Sequence, residues 1–408
     1  MSFLAQSGFS CAPQIGYQES RIESVSAGIL FTAFEPSGDA RAAPVIAALR
    51  SARPEVPIWA FGGPQMEQSG AQIIERTTED AVMLAGAALQ VPRHLRRLRT
   101  LRRWLADRRV EALVPVDSPA ANWSVCRLIR RARPDARIVH LVAPQLWAWA
   151  PWRIRKLRVL TDHVLCLLPF EPDWFGRRGV SASFVGDPLF PPVIASAPAE
   201  SDESGAAACT RVALLPGSRR HDVRANWPTM LEAFRRLRAA HRKLVGTVAA
   251  LNDEIADRVR GSILPADGIE VRVGEVDAVL AWAQVALVKS GTGSLQTAAA
   301  GVPMVIVYNI DRWKWHLVGR WLVPIRTLTL PNLIAESQGL GRAVPELVPH
   351  FGQVAPVVAA LEPLLTDPDR WRQQKAVMRR IAEPFAGVRY GQTAARRIIE
   401  IVSGTTAT

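Results

Sequence analysis

The sequence predicts an α/β protein made of two Rossmann-like, doubly wound domains followed by C-terminal helices. The chain has 408 residues, more than one hydrophobic core usually organises, so two domains are expected. From about residue 28, short apolar runs alternate with longer helix-forming segments, a pattern typical of a parallel sheet. A stretch rich in Pro, Ala, Ser and acidic residues interrupts this alternation, which then starts again.

The interruption predicts five regions along the chain. An N-terminal extension covers 1–27, the first domain 28–190, a linker 191–211, the second domain 212–352 and C-terminal helices 353–408. Ten apolar runs are predicted strands, five in each domain: 29–33, 58–61, 112–116, 138–142, 163–167, 212–215, 244–250, 270–273, 285–288 and 304–307. Strands at this spacing, with helical segments between them, predict two separate doubly wound sheets.

The composition excludes several classes of protein. Hydrophobic residues make up 49% of the chain and charged residues 21%, a balance typical of folded proteins. The longest uncharged apolar stretch, 81–92, is shorter than the roughly 20 residues a membrane-spanning helix needs. No basic segment precedes an apolar run at the N-terminus, so no secretory leader is expected. The four cysteines show no C-x-x-C spacing, which argues against a zinc site or a disulfide framework and fits a reducing cytosol.

The formal net charge of +13 indicates an anionic partner, either nucleic acid or an anionic membrane surface. Thirteen tryptophans against three tyrosines favour the membrane, because Trp prefers its interface. No recognisable nucleic-acid-binding motif is present.

The segment 92–109 has leucines at helical spacing with arginines between them, and it fits either a crossover helix or an interfacial helix. The Trp-rich segment 311–324 fits an interfacial helix or a buried one with snorkelling basic residues. Alternatively, the positive net charge reflects an Arg-rich composition alone and indicates no anionic partner.

Two strand-to-helix junctions in the second half are typical of phosphate-binding sites. The first places Gly217, Ser218 and Arg219 after an apolar run, and the second runs from Ser290 to Gly293. Glycine lets the backbone approach a ligand, and the free N–H groups of a helix N-terminus favour an anion. Together the junctions predict a cradle for a nucleotide diphosphate.

In the first half, Asp117 follows a predicted strand at the edge where parallel sheets bind ligands. The residue pattern alone fits a catalytic carboxylate and a helix cap equally well, since Pro119 can begin a helix. His140 ends another predicted strand, where a buried and hydrogen-bonded imidazole is the expected role. Trp147, Trp149 and Trp152 fit sugar stacking or an acyl groove, and fit core packing as well.

The ordered set of motifs resembles the lipid-A-disaccharide synthase family over about residues 28–400. The matching segments are FEPSGD, FGGPQMEQSG, VDSPAAN, APQLWAWAPWRIRKL, LPFEPDWF, VGDPL, LLPGSR, KSGTGSLQ, PMVIVYN and TLPNLIA. The resemblance implies an inverting glycosyltransferase with the GT-B fold. It further implies transfer of 2,3-diacylglucosamine from its UDP-linked donor to 2,3-diacylglucosamine 1-phosphate, giving a β-1′,6 disaccharide and UDP. It implies no cofactor and no active-site metal, a homodimer, and a location at the cytoplasmic face of the inner membrane.

The resemblance also implies residue roles. Asp117 would be the general base, Glu35 would contact the acceptor or orient the base, and Arg219 would grip the diphosphate. The further predicted substrate-binding residues are Ser37, Gly38, Gly217, Ser218, Ser290, Gly291, Thr292, Gly293, Gln296 and Asn332. These assignments predict an acceptor site in the first domain and a donor site in the second.

Five positions depart from the family pattern. Phe34 replaces a glycine, Asp187 replaces the histidine of V-G-H-P-L, and Ala120 and Ala121 replace an acidic–aromatic pair. Gln296 stands where a glutamate usually accepts hydrogen bonds from the ribose, and its amide offers one oxygen without charge assistance. The departures leave two alternatives open: a glycosyltransferase with another nucleotide sugar or acceptor, or a weakly active homologue. A non-catalytic membrane-binding or nucleic-acid-binding protein is a third, motivated by charge alone.

Overall fold

The computed structural model describes residues 27–78, 87–148, 150–190, 210–319 and 327–404. Most of the predicted N-terminal extension and linker, Trp149, and parts of 81–92 and 311–324 lie outside those residues. The described chain forms two parallel sheets, one of seven strands and one of six. Both predicted α/β units are therefore present.

The first sheet has the strand order β3-β2-β1-β4-β5-β6-β7. Its strands are β1 (Gly28–Thr32), β2 (Ile58–Gly62), β3 (Gln72–Arg76), β4 (Val110–Pro115), β5 (Arg137–Leu141), β6 (His163–Cys166) and β7 (Ala182–Phe184). The helices between them are α1 (Pro36–Ala52), α2 (Pro64–Gln68), α3 (Ala87–Trp104), α4 (Pro119–Ala132), α5 (Ile154–Leu160) and α6 (Glu171–Gly176). Short 3-10 turns cover Leu105–Asp107 and Pro151–Arg153.

The second sheet has the order β10-β9-β8-β11-β12-β13. Its strands are β8 (Thr210–Leu215), β9 (Leu244–Ala250), β10 (Ile269–Val273), β11 (Val285–Lys289), β12 (Met304–Asn309) and β13 (Glu346–His350). The helices are α7 (Arg220–Ala240), α8 (Asp253–Arg260), α9 (Val276–Trp282), α10 (Thr292–Ala299), α11 (Arg312–Lys314), α12 (Leu330–Ser337), α13 (Val354–Thr366), α14 (Pro368–Ala382) and α15 (Tyr390–Val402). Further turns are 3-10 at Pro265–Asp267 and Glu383–Phe385, and π-helical at Trp315–Gly319.

Both faces of each sheet are covered, as the apolar strands require. In β1, Ile29 and Phe31 point into the core beneath α1, while Leu30 points into the core beneath α3 and α4. In β8, Val212 and Ala213 divide in the same way between two cores. This alternation explains why the strands contain continuous apolar runs.

The final helix returns to the first domain instead of extending the second. Tyr390, Ala394 and Ile398 of α15 belong to the core that contains β1 and α1. Tyr390 Oη donates a hydrogen bond of 2.9 Å to the carbonyl of Arg41. Gly391 allows the close approach, since a methyl group there would lie 2.5 Å from the carbonyl oxygen of Pro44. Helices α13 and α14 instead contribute to the cores of the second sheet, so the predicted C-terminal region is shared between the sheets.

The two sheets also meet through aromatic side chains. Phe190, which follows β7, stacks on Phe385, which precedes α15, with centroids 3.7 Å apart and planes 6° apart. Phe184 meets the same ring edge to face at 5.4 Å. Trp147 and Leu168 of the first half share a buried cluster with Leu215 of the second. These contacts fix the connection between the halves beside the predicted sites.

All ten predicted strands are present, with ends displaced by no more than two residues. The prediction missed β3, β7 and β13, which are edge strands of their sheets. Their residues are only partly buried, so their sequences lack the apolar runs of central strands. Segment 92–109 is largely α3, whose stripe is buried at Leu101 and exposed at Leu95. In the described part of the chain, no helix is long and apolar enough to span a bilayer.

Candidate active site

Asp117 lies immediately beyond β4 in an unusual backbone conformation. Asp117 has φ 49° and Ser118 has φ 35°, in the left-handed region that side chains other than Gly avoid. The turn is held on both sides, because Asp117 N donates to the carbonyl of Leu141 and Asn122 Nδ2 donates to the carbonyl of Asp117. Thr32 Oγ1 fixes Asn122 in turn at 2.7 Å. A non-glycine residue held in this region costs of order 1 kcal/mol or more, and such residues cluster at functional sites.

The carboxylate of Asp117 is held in place but remains partly open to solvent. Arg41 Nη1 lies 3.1 Å from Asp117 Oδ2, and the side chain of Asp117 keeps 30% of its exposure. Asp117 Oδ1 accepts a hydrogen bond of 2.8 Å from the N–H of Ser118. The N-cap of α4 is Ser118, without a side-chain cap bond, so Asp117 does not cap the helix. Of the two roles the residue pattern left open, the structure removes the cap.

Glu35 is brought to the same place by a side chain that the sequence analysis did not single out. Ser118 Oγ donates a hydrogen bond of 3.0 Å to Glu35 Oε1, which joins the β1–α1 loop to the β4–α4 loop. Glu35 is the N-cap residue of α1, but its carboxylate makes no cap hydrogen bond. Glu35 and Asp117 therefore lie on either side of Ser118.

Ser37 and Gly38 differ in their surroundings. Ser37 is exposed in the first turn of α1, whereas Gly38 is buried. A methyl group at Gly38 would lie 3.1 Å from Ala33 Cβ, so Gly38 serves the packing of α1 on the end of β1. Its predicted substrate contact stays a prediction. Asp39 is also structural, since its carboxylate accepts the N–H groups of Gly63, Gln65 and Met66.

Two buried titratable groups lie near Asp117. His140 is 1% exposed, and burial lowers its pKa to about 4, an effect that the charge of Asp117 opposes. The sequence predicts a hydrogen-bonded imidazole, and among the described residues its Nε2 has no hydrogen-bond partner. Asp187 is also buried, and burial raises its pKa against the hydrogen bond from Leu189 and the charge of Arg41. Asp187, which replaces the histidine of V-G-H-P-L, therefore lies within electrostatic reach of Arg41.

The LPFE segment forms a buried, hydrogen-bonded cluster of its own. Glu171 is fully enclosed, and burial raises the pKa of this carboxyl to about 7. Its oxygens accept from Trp147 Nε1 and from the N–H of Leu168, both at 3.0 Å. Trp147 is thereby a packing residue, while Trp152 is 64% exposed.

The first glycine-rich junction connects β8 to α7. Gly217 has φ 118°, and a methyl group there would lie 2.7 Å from Asp222 Cβ, so only glycine fits. Ser218 and Arg219 are exposed, and Arg219 is the N-cap residue of α7. Arg219 forms no ion pair with any residue that the structure describes, so its guanidinium is available to an anion.

The second junction connects β11 to α10. Gly291 has φ 140° and is the N-cap residue of α10, with Thr292 exposed in its first position. Ser290 is fixed by a hydrogen bond of 3.0 Å from its N–H to the carbonyl of Val307. Gly293 packs closely, since a methyl group there would lie 3.4 Å from Leu215 Cδ2. Gln296 follows one turn later and is half-buried.

A lysine that the sequence analysis quoted but did not assign links the two junctions. Lys289 Nζ lies 3.1 Å from Asp222 Oδ2, which joins the end of β11 to the first turn of α7. The same ammonium lies 4.8 Å from the ring centroid of Tyr308 at the end of β12. The signal in the sequence was a charged residue ending an otherwise apolar strand.

The predicted substrate-binding residue Asn332 forms its hydrogen bonds within its own domain. It is fully buried in α12, and its Nδ2 donates to the carbonyl of Val344 and to Glu346 Oε2. Its Oδ1 accepts the N–H groups of Ala343 and Val344. Because every donor and acceptor of the amide is engaged inside the domain, Asn332 fixes the segment leading to β13 and has no hydrogen bond to offer a substrate.

Within the described ranges, no group of three or more His, Cys, Asp or Glu side chains is arranged to hold a metal ion. The chemistry these loops offer is carboxylate, hydroxyl, guanidinium and ammonium. Each group lies at the carboxyl end of a parallel strand, where open α/β sheets bind ligands.

Two parallel α/β sheets carrying such loops have the architecture of the GT-B fold. Solved structures agree on the fold: the UDP co-structure of S. aureus MnaA superposes with a TM-score of 0.58 at 12% identity, over 92% of this chain and 96% of that one. A UDP complex of a Siraitia grosvenorii glycosyltransferase gives a TM-score of 0.56 at 11% identity, over 93% and 100%. Identities this low support the fold and nothing finer.

Sequence comparison identifies the particular family. The model of the lipid-A-disaccharide synthetase family matches residues 29–396. A lipid-A-disaccharide synthase of Anaeromyxobacter sp. (strain K) is 34% identical over 378 residues, 89% of this chain and 96% of the relative. One from Ruegeria pomeroyi is 34% identical over 392 residues, 92% and 96%. The chain belongs to the lipid-A-disaccharide synthetase family and is a hexosyltransferase, as its motifs predicted.

Proposed function

We propose that the protein transfers 2,3-diacylglucosamine from its UDP-linked donor to 2,3-diacylglucosamine 1-phosphate, forming the β-1′,6 disaccharide and releasing UDP. The observation that carries the proposal is the loop after β4, where Asp117 is held in a left-handed backbone with a partly open carboxylate. The family relation over most of the chain supports the substrate class and disfavours another nucleotide sugar.

Asp117 acts as the general base on the acceptor. Its carboxylate takes the proton of the attacking sugar hydroxyl, whose oxygen forms the new bond to the anomeric carbon as the bond to UDP breaks. Arg41 and the N–H of Ser118 orient the carboxylate, and Ser118 connects it to Glu35. Attack opposite to the leaving UDP inverts the anomeric centre.

The second sheet stabilises the leaving diphosphate. Arg219 supplies a planar guanidinium suited to phosphate oxygens. The N–H groups at the start of α10 carry partial positive charge and also favour an anion. Gly217 and Gly291 let the backbone approach, while Ser218, Ser290 and Thr292 offer hydroxyl donors. Gln296 offers one amide oxygen to the ribose where the family pattern has a carboxylate. Negative charge developing on UDP is thus met by fixed positive groups.

The base assignment predicts that Asp117→Asn lowers kcat about 10²- to 10⁴-fold, because the amide cannot accept the hydroxyl proton. UDP affinity should not change, since Asp117 belongs to the other sheet. The measurement is UDP release with both acylated substrates, together with calorimetric titration of UDP. Asp162→Asn is the matched control, because Asp162 also pairs with an arginine, Arg130, at 2.7 Å and has similar exposure. Turnover of Asp117→Asn at the wild-type rate would refute the assignment.

We also propose peripheral association with the cytoplasmic face of the inner membrane. The support is exposed apolar side chains near arginines: Val91 and Leu95 on α3, Trp152, and Trp313 and Leu317 after β12. Arginines around such a surface favour anionic lipid. Flotation with vesicles containing anionic lipid should carry the protein upward, and less so at high salt.

The homodimer implied by the resemblance stays a prediction, which size-exclusion chromatography with light scattering checks.

A further inference from the structure

Lys289 lies where the two glycine-rich junctions approach each other. A methyl group built on Gly217 of the first junction would lie 3.5 Å from Lys289 Cδ. One built on Gly291 of the second would lie 3.6 Å from Lys289 Nζ. The lysine side chain therefore runs alongside both glycines, within van der Waals distance of a carbon added at either. The ammonium is placed directly beside the backbone turns that approach the diphosphate.

The ammonium is anchored rather than free to swing. Its partner Asp222 is 4% exposed and Lys289 itself is 17% exposed, with 3.1 Å between Nζ and Oδ2. Burying an unpaired carboxylate is costly, so Asp222 holds the ammonium firmly. The other oxygen of Asp222 lies 3.3 Å from His221 Nε2 in a geometry that makes no hydrogen bond. Lys289 is thus the principal partner of a nearly buried acid.

Both Lys289 and Arg219 act electrostatically on the side chain of Tyr308. Lys289 Nζ lies 4.8 Å from the centre of its ring. Burial and the charge of Asp222 raise the pKa of Tyr308, and the charge of Arg219 opposes them, so Arg219 is also within electrostatic reach of this side chain. Lys289 therefore contacts this ring, and Arg219 is close enough to act on the side chain electrostatically.

A lysine ammonium has three donors. Asp222 is the one acceptor that the ammonium meets among the described residues. The ring face of Tyr308 attracts the positive charge but is not a conventional hydrogen-bond acceptor. The ammonium therefore has donor capacity left beside Gly291. An oxyanion with several acceptor oxygens, such as a diphosphate, satisfies that capacity.

We propose that Lys289 is a second diphosphate-binding residue, whose ammonium, anchored by Asp222, donates to a phosphate oxygen of the nucleotide that Arg219 grips. The inference rests on the proposed function, because it requires a donor linked to a nucleoside diphosphate. The competing role is a purely structural ion pair that ties β11 to α7. The two roles differ in one respect: a diphosphate ligand makes Lys289 matter for UDP and not for uridine.

The test is calorimetric titration of wild type and Lys289→Met with UDP and with uridine. Methionine keeps the length of the side chain and removes the charge. A charge-assisted hydrogen bond lost from the diphosphate should weaken UDP binding roughly 10- to 100-fold, with uridine binding unchanged. Lys289→Arg should retain more UDP affinity than Lys289→Met, because it keeps a cationic donor. Lys375→Met is the matched control, since Lys375 also lies over an aromatic ring, that of Trp371 at 4.5 Å, on α14.

Three outcomes decide between the roles. A selective loss of UDP affinity in Lys289→Met, absent in Lys375→Met, supports the proposal. Equal losses for UDP and uridine, or no loss for either, overturn it and leave a structural ion pair. Failure of wild type itself to bind UDP would contradict the proposed function instead, so the two failures are distinguishable. A melting temperature measured for each variant identifies any that are unfolded.

Discussion

At the scale of single residues, sequence patterns located the charged groups but not their partners. Asp117 and Arg219 were singled out because each follows an apolar run at the carboxyl end of a predicted strand. Arg41 was not found, because it lies mid-helix and reaches Asp117 only through the approach of α1 to β4, across 76 positions of chain. The partners of Asn332 were missed for a similar reason, since its four hydrogen bonds go to the segment before β13 and to β13 itself. Contacts of this kind depend on tertiary packing, which no local pattern encodes.

His140 makes a prediction about pH and stability. Its folded pKa is about 4 against an ordinary value of 6.5, so the folded protein favours the neutral imidazole. Stability from this group is therefore complete above pH 6.5 and is lost as pH falls toward 4. His140→Leu removes the protonation cost, so relative to wild type the variant should gain about 1 kcal/mol on going from pH 8 to pH 5.5. Denaturant unfolding of both proteins at the two pH values measures the difference. Identical pH dependence in the two proteins would contradict the burial of a neutral His140.

At the scale of elements, every central strand was predicted, whereas three of the four edge strands, β3, β7 and β13, were not. The residues of β1 and β11 are nearly all buried, so both strands appear as continuous apolar runs. In contrast, β3 reads QIIER, with both ends exposed, because one side of that strand has no neighbour. The return of α15 to the first domain also escaped prediction. Its amphipathic pattern shows that one face is buried but does not show against which sheet.

The crossing of α15 over α1 predicts the effect of a single methyl group. Gly391→Ala places Cβ 2.5 Å from the carbonyl oxygen of Pro44, and backbone at that distance must move. Overpacking of this kind costs about 1–3 kcal/mol, so the free energy of unfolding should fall by that amount. Gly176→Ala is the matched control, because Gly176 ends α6 with nothing within 4 Å of the added carbon. Denaturant unfolding gives both values, and equal stabilities of the two variants would show that α15 does not approach α1 so closely.

At the scale of the whole molecule, the chain divides the work between two sheets. The first carries the carboxylates, with Asp117 and Glu35 joined through Ser118. The second carries the cations, with Arg219 at one junction and Lys289 between the two. The stack of Phe190 on Phe385 and the return of α15 connect the halves. This division matches a reaction in which one substrate must lose a proton and the other an anionic leaving group.

The motifs gave the fold class and the family correctly because ten apolar strands and an ordered set of loop motifs were visible in the sequence. They could not reveal the cost of the departures. Gln296 is half-buried with its amide unassigned, and Asp187 is buried within reach of Arg41.

The most direct test of the central claim is the product formed by the wild-type protein. It is incubated with 2,3-diacylglucosamine 1-phosphate and a panel of nucleotide sugars that includes UDP-2,3-diacylglucosamine, and the products are identified by mass spectrometry and NMR. A β-1′,6 disaccharide, formed with stoichiometric UDP from the UDP-diacylglucosamine donor alone, is the predicted result. Preferential transfer from another nucleotide sugar, an α-linked product, or UDP release without a disaccharide would contradict it.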